Sequence, residues 1–465
     1  MASPHPWFVH PALVAASPDG IRTRLGLSPN HASFRIGVLR THLLTALLAN
    51  SAARYFGAQV HVTIRWDDSD PFRSHNAHRV PLLREVKHVA RIPVDDEDTA
   101  VRQSKRGDRH RHALRLLDSR ELVVISRGLP CLDVTAVDRY MAAHGACPRA
   151  LTASAAVNAT TALSPQRRMI PLMRSDGRAL WHLATVVDDI DQRTNLIVRG
   201  ADKRDALPIQ VRLYWALSEG KHPPAHVFLP KLLAKPTEAT RVADLLERGV
   251  RPSALRYFLA EPYLSRPRSP DRPTDFSALV GRVNRYLPRY GDSILDERRL
   301  GSLDRKMSAA LPAEVATEEL RDRCPNSPAH AIEWTIAHYP RPLVQQARLC
   351  RALTDAAIDY EPPPARSEEA CLWLGAWIRG KAEGPPPHPV RWVLTGQRNG
   401  PSASDLLKAF ASPLLAARLR SARQELRRSS ATRRRSKVRS RPSSSRDSKS
   451  GRPTVRPVTA TRTGA

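Results

Sequence analysis

The chain has 465 residues and carries 74 Lys+Arg against 45 Asp+Glu, a formal net charge of +29. A hydrophobic content of 41% excludes a wholly disordered chain, and the absence of any apolar stretch of about 18 residues argues against a membrane-spanning protein. The cysteines at 131, 147, 324, 350 and 371 are odd in number and far apart, which suits a reducing cytoplasm better than a disulfide framework.

Residues 1–20 read as a short leader. Met1–Ser17 lacks a basic n-region and is interrupted by Pro4, Pro6 and Pro11, so no signal peptide is expected. Ile21–Leu27 reads as a strand. A loop with Ser28, Pro29, Asn30 and His31 follows, then a helix over Ile36–Ala53 with Leu39, Leu43, Leu44, Leu47 and Leu48 at helical spacing. Val60–Trp66 reads as a second strand, ending in the acidic turn Asp67–Asp70. Strand, helix and strand with polar residues at the strand ends describe an open parallel sheet with a crevice at its carboxyl ends. Residues from about 74 to 170 are less regular and include a buried-looking strand, Leu122–Ser126. A second α/β half resumes at Ala184–Asp189 and Asn195–Arg199, followed by a helix over Pro208–Leu217 with proline in its first turn. Beyond about 240 the pattern is mostly helical, including Val242–Arg248 and Ser253–Leu259, and Pro-rich joints at 261–274 and 361–365 suggest boundaries.

The end of the chain is distinct. Arg427–Ala465 holds 13 Arg/Lys and one acid, a net +12, leaving +17 on the rest. Its Ser, Arg, Thr and Pro composition predicts disorder. It reads either as a nucleic-acid tether acting by counterion release or as a solvated tail with no dedicated partner. The excess on the body asks for a polyanionic partner.

Five segments in order then carry a family resemblance. IRTRLGLSPNHASFRIGVLRTHLL (21–44), IRWDDSDPFR (64–73), DGRALWHLATVVDDI (176–190), NLIVRGADKRDALPIQVRLYWAL (195–217) and LAKPTEATRVADLLERGVRPSALRYFLA (233–260) resemble the glutamyl-tRNA synthetase family. HPVRWVLTGQRNGP (388–401) is similar, more weakly, to that family's closing segment.

The resemblance implies an α/β Rossmann-type class I synthetase catalytic domain (21–260) with an inserted acceptor-stem subdomain at about 74–170. A helical junction (261–340), an α-helical anticodon-binding-like region (341–426) and the disordered basic tail (427–465) would follow. It implies a cytoplasmic monomer that uses ATP and Mg2+, joins glutamate to tRNA through an aminoacyl-adenylate, and has no resident metal and no membrane contact. Both chemical steps develop charge on oxygen, which helix N-termini and cations stabilise.

By the same resemblance Arg24, Ser28, Asp67, Trp181, Thr185 and Arg199 would line the amino-acid site. Arg24 and Arg199 suit a carboxylate because a guanidinium grips it bidentately. Asp67 stands where the family has glutamate, Trp181 where it has tyrosine, and Thr185 where asparagine is frequent. Arg35, Ile36, Gly37, Asp202 and Lys235 would meet ATP, with Lys235, Arg35 and Gly37 as the catalytic set.

The ATP motifs depart most from the family. Arg35 replaces a histidine, Leu232 a first lysine, and Pro236 follows the surviving Lys235; Ala201 and Lys203 flank Asp202. Lys306-Met307-Ser308 lies too far along to be the lysine loop. His144 and Cys147 are close, but no second pair makes a zinc site. Trp373, Trp377 and Trp392 could stack on bases, although the i, i+4 spacing of the first two favours core packing. Three readings follow: a glutamate-tRNA ligase, a paralogue with shifted amino-acid or acceptor specificity, and a non-catalytic tRNA-binding protein.

Overall fold

The computed structural model describes residues 6–95, 100–158, 168–218, 220–233, 241–265, 275–287, 291–339, 343–355, 358, 360–410 and 412–439. The chain divides into two compact units between Cys350 and Arg351.

In the first unit, β1 (Ile21–Leu27) and α1 (Ile36–Phe56) lead to β2 (Val60–Trp66). β1 and β2 pair in parallel, with Ile21 opposite Val60 and Leu27 opposite Trp66. The leucine spacing explains α1: Leu39, Leu43, Leu44, Leu47 and Leu48 all lie buried over the strands. The helix continues past Ala53 and stops at Gly57, whose φ of 65° takes the left-handed cap. β3 (Val101–Arg102) extends β2.

The segment that follows folds as α2 (Gly107–Asp118), β4 (Val123–Ser126), β5 (Leu129–Asp133), α3 (Val134–Ala143), α4 (Pro148–Ala155) and β6 (Met169–Pro171). Its strands form an antiparallel sheet in the order β4-β5-β6. Asp133 caps α3 by accepting from the Thr135 and Ala136 amides at 2.8 and 3.1 Å. β4 is not the buried strand its composition suggests. It pairs only with β5 among the described residues, and Ile125 is 72% exposed.

α5 (Trp181–Asp191), β7 (Leu196–Gly200), α6 (Leu207–Leu217) and β8 (Ala225–Leu229) complete the sheet region. Leu117, Leu132, Val137 and Met141 of this segment share one core with Leu183 and Val187 of α5 and Leu213 of α6. The segment is thereby packed onto the helix α5. β7 and β8 pair in parallel, and Asn195 joins them to β1. Its Oδ1 accepts from the Arg22 amide at 2.8 Å and its own amide donates to the Arg22 carbonyl at 3.0 Å.

Beyond β8, β9 (Leu232–Leu233) precedes α7 (Pro252–Ala260) and pairs in parallel with β10 (Ser293–Ile294). Helices over Glu297–Ala310, Ala313–Arg323, Ala329–His338 and Leu343–Thr354 follow, and all but the third bond to Arg251. Arg251 is fully buried. Its Nε donates to Ser308 Oγ at 2.9 Å and its Nη1 to Glu319 at 2.9 Å, while Nη2 reaches Gln346. Asp304 accepts its amide at 3.1 Å. Met307 and Ser308 are therefore core and hub residues, which accounts for the accidental likeness of 306–308 to a lysine loop.

The second unit is helical: α8 (Ser367–Ile378), α9 (Val390–Thr395), α10 (Ala403–Ala409) and α11 (Ser412–Arg439). Trp392, Leu374, Leu406 and Leu419 form its interior, and Trp392 Nε1 donates to the Glu361 carbonyl at 2.8 Å. Helix α11 runs to Arg439, so the expected disorder from 427 onward is corrected as far as that residue. Between Pro413 and Pro442 the sequence has neither glycine nor proline and is rich in Arg and Ala, which propagate a helix once it has started. The rest of the expected tail lies outside the described residues.

Candidate functional site

Three arginines meet where β1, β2 and β7 face α5. Arg24 on β1 donates through Nε to Asp189 Oδ1 at 2.8 Å and through Nη2 to Oδ2 at 3.5 Å. Arg65 on β2 donates to Asp189 at 3.0 Å and, through Nε, to Asp67 at 2.7 Å. Arg199 ends β7 and donates through Nη1 to Gln210 Oε1 at 2.6 Å. All three arginines are buried, as is Asp189. Burial alone would raise the Asp189 carboxyl, but Arg24 and Arg65 overcome it and hold the group below the usual carboxylate range. Arg199 has no carboxylate of its own. Burial first, and then the Arg24 charge, depress it to about 9.

Around this trio lie polar atoms with no hydrogen-bond partner among the described residues. They are Arg199 Nη2, Thr185 Oγ1, Gln210 Nε2, His182 Nδ1 and His226 Nδ1. Burial, with the Arg199 charge second, holds His182 at about 4, and the same causes keep His226 well below its ordinary value. Both imidazoles are neutral at pH 7. A buried polar atom left unpaired costs about 1–3 kcal/mol, so four such atoms beside Arg199 Nη2, on a cation with no ion pair among the described residues, suit an anionic, hydrogen-bonding ligand.

Asp67 stands at the end of β2. Its carboxylate is held by Arg65 and lies over Gly26, where Oδ2 would come within 2.9 Å of any Cβ. Asp68 is a structural acid: it accepts from Arg79 at 2.5 Å and from the Ser104 amide and hydroxyl at 2.9 and 2.8 Å. Asp70 pairs with Arg174 at 3.6 Å rather than with Arg73. Ser28 is exposed at the start of the following loop. Trp181 opens α5 and is 37% exposed, with the Lys203 ammonium 5.8 Å from its ring centroid, so it is not core packing. Asp202 is exposed and pairs with Lys203 at 3.1 Å.

The expected nucleotide side has a different character. Arg35 is exposed at the N-terminus of α1 and Ile36 is buried beneath it. The loop before them is pinned: Glu85 accepts the Phe34 amide at 2.8 Å, and Arg241 donates to the Ser33 carbonyl at 2.7 Å. His31 accepts the Ser33 amide at 3.2 Å within the turn. The close approach at Gly37 is made by β9: a Cβ there would meet the Leu232 carbonyl at 3.0 Å. Lys235 lies outside the described residues, as does the loop 234–240. No group of three His, Cys, Asp or Glu among the described residues could hold a metal ion.

The chain is similar to curated and solved proteins over most of its length. It is 26% identical over 448 residues to a protein of Novosphingobium aromaticivorans named glutamate-tRNA ligase 1, covering 84% of this chain and 97% of that one. A glutamate-tRNA ligase 2 of Sphingopyxis alaskensis is 28% identical over 343 residues, covering 66% and 76% of the two chains.

The chain resembles glutamate-tRNA ligases.

No family model matches it. The crystal structure of a glutamate tRNA ligase from Elizabethkingia meningosepticum superposes with a TM-score of 0.53 at 13% identity, covering 86% of this chain and 99% of that one, and so shares its fold. Within this chain, the motif residues Arg24, Asp67, Thr185 and Arg199 come together around Asp189. Gln210, His182, His226 and Arg65 were not singled out from the sequence. Arg65 and Asp189 did carry a signal: a charge inside the apolar strand VHVTIRW, and an acid four residues after Thr185 on the same helix face.

Proposed function

We propose that the protein activates an acidic amino acid, glutamate in the first instance, with ATP to an aminoacyl-adenylate and transfers it to the 3′ end of tRNA. The observation that carries this reading is Arg199: a buried cation whose Nη2 lacks a partner, with Gln210 Nε2 and Thr185 Oγ1 also unpaired beside it. A side-chain carboxylate would accept from Arg199 and Gln210 and restore the missing counter-charge. Asp67, one methylene shorter than glutamate, would face the substrate ammonium once Arg65 shares its charge. ATP is a co-substrate whose Mg2+ would arrive on its phosphates, with Lys235 and Arg35 as the cations available to them.

A second reading, a tRNA-binding protein that no longer activates amino acids, is favoured by two observations. The Leu232 carbonyl fills the space at Gly37, and Nε and Nη2 of Arg24 are turned to Asp189. Amino-acid-dependent ATP–pyrophosphate exchange across the twenty amino acids, with and without tRNA, separates the two. Exchange with glutamate is expected. Exchange with another amino acid would move the specificity, and its absence in both arms alongside tRNA binding would leave the second reading standing.

A further inference from the structure

In the second unit, α8 has the composition of an interior helix and the position of a surface one. Nine consecutive residues, 370–378, carry no charged side chain, and a helix apolar on every side belongs inside a protein. Ala370, Cys371, Leu374 and Gly375 are buried, whereas Leu372 is 68%, Trp377 45% and Ile378 38% exposed. Trp373 and Trp377, one turn apart, stack at 5.4 Å between centroids with planes 18° apart, and the Trp373 indole donates to the Glu383 carbonyl at 3.2 Å. Core packing, expected from their spacing, is therefore corrected for this pair; of the three C-terminal tryptophans only Trp392 is interior. The outward side of α8 is thus a stiff apolar strip, continued beside Leu372 by a groove of about 510 Å³ lined by Leu426 and Ala431. An exposed apolar strip of this kind marks an interaction surface.

The two ends of the strip carry opposite charges. Glu368 and Glu369 lie in the first turn of α8, and Arg379 and Lys381 follow its last turn; all four are exposed. Glu368, Arg379 and Lys381 have no ion pair among the described residues. Glu369 meets Arg366 at 2.8 Å, an exposed pair worth about 0–1 kcal/mol, so its carboxylate is free to take a better partner.

The spacing makes this strip complementary to itself. Glu369, Leu372, Ala376 and Arg379 recur at intervals of three, four and three, the stripe along which two helices pack. The stripe is symmetric about Leu374: Leu372 and Ala376 stand two residues either side of it, Glu369 and Arg379 five. Two such helices laid antiparallel about a two-fold axis put Glu369 of each copy over Arg379 of the other. They also put each Leu372 against the small Ala376, where the backbones can come close. A parallel arrangement would set like charges together, and the acids at 368, 369 and 383 disfavour a polyanion or an anionic bilayer on this face. We propose that the strip is an isologous dimer interface, with α8 packed antiparallel on α8 of a second copy of this chain and Trp373 and Trp377 flanking the axis. The family resemblance implies a monomer, and this interface departs from that expectation. It does not depend on the reading of the catalytic unit.

Sedimentation velocity on the full chain, from about 1 to 100 µM, tests this. The wild type should show a reversible monomer–dimer equilibrium in the micromolar range, as befits a small interface. Leu372→Asp should weaken it about tenfold or more. Glu369→Arg and Arg379→Glu should each weaken it about tenfold or more when alone, because each sets like charges together at both ends of the interface. An equimolar mixture of these two variants should recover the wild-type affinity, since every end again joins opposite charges. This rescue excludes misfolding of either variant as the cause of the loss. A wild type that stays monomeric at about 100 µM, a dimer indifferent to Leu372→Asp, or two charge swaps that do not rescue one another overturns the proposal. So does a monomer whose binding to anionic vesicles or to RNA falls with Leu372→Asp, which would give the strip to that partner. A dimer without ATP–pyrophosphate exchange refutes only the catalytic reading.

Discussion

Arg199 is expensive to keep where it is. Its guanidinium is 7% exposed, and burial and Arg24 depress it from 12.5 to about 9. Because that value is still above 7, the group stays charged and its cost is present throughout the physiological range. At about 1.4 kcal/mol per unit, the upper bound is about 4–5 kcal/mol. Replacing a buried, uncompensated charge by a neutral group of similar shape commonly stabilises a protein. Arg199→Gln is therefore expected to raise stability by about 1–3 kcal/mol, seen as a higher Tm, while abolishing amino-acid-dependent exchange. A lower Tm would show that Arg199 holds the fold rather than a ligand. At this scale the sequence was informative about identities and silent about states. Arg24 and Arg199 stand out by their motifs, but that Asp189 already occupies Arg24, or that Gln210 has an unpaired amide, depends on partners more than ten residues away.

Helix α1 buries His42 near the arginine trio and α5 holds His182 half-buried beside Arg199. His42 on α1 is 6% exposed, meets the Phe34 ring edge-on at 5.1 Å, and is lowered to about 4 by burial and then by Arg24; His182 on α5 is also at about 4. The unfolded chain takes up these protons near 6.5 and the native chain only near 4. Between those values the unfolded state binds more protons, so stability is lost as pH falls through the window. His42→Gln should remove part of that loss, narrowing the gap in unfolding free energy between pH 7 and pH 5 by about 1–3 kcal/mol. An unchanged gap in urea titrations at the two pH values would mean that His42 is not what makes the fold acid-sensitive. Elements such as α1, β1 and β2 were legible because leucine spacing and apolar alternation determine their type and, for the two strands, their ends, while α1 runs past the expected Ala53 to Phe56. β4 and α11 were not. VVIS has the same composition in a central strand as on an edge, and a run of arginines has the same composition in a helix as in a coil.

At the scale of the whole molecule, the charge of +29 pointed to a polyanion but not to where it would lie. The three buried arginines sit in the sheet region of the first unit, while Arg379, Arg420, Arg423 and Arg427, exposed and without an ion pair among the described residues, sit in the second, so one net charge has two different settings. Motif order made the α/β half readable. The helices from 297 to 349 carry no comparable motif, and their arrangement follows from Arg251, a residue that the sequence places in an unremarkable turn before Pro252.

That residue has a consequence for how the first unit comes apart. Its side chain is fully enclosed and bound to Ser308, Glu319 and Gln346, with Asp304 on its amide, so the helices Glu297–Ala310, Ala313–Arg323 and Leu343–Thr354 all hold one cation attached to α7. Peeling any one of them away would leave the guanidinium enclosed with an empty place beside it, at a cost of about 3–5 kcal/mol before any apolar contact is counted. The stretch from 297 to 349 should therefore not open on its own. In native-state hydrogen exchange its slowest amides are expected to open together with those of β1 and α1, as one cooperative block, and Glu319→Gln should split that block in two. A helical stretch that already exchanges faster than the sheet in the unaltered protein would contradict this.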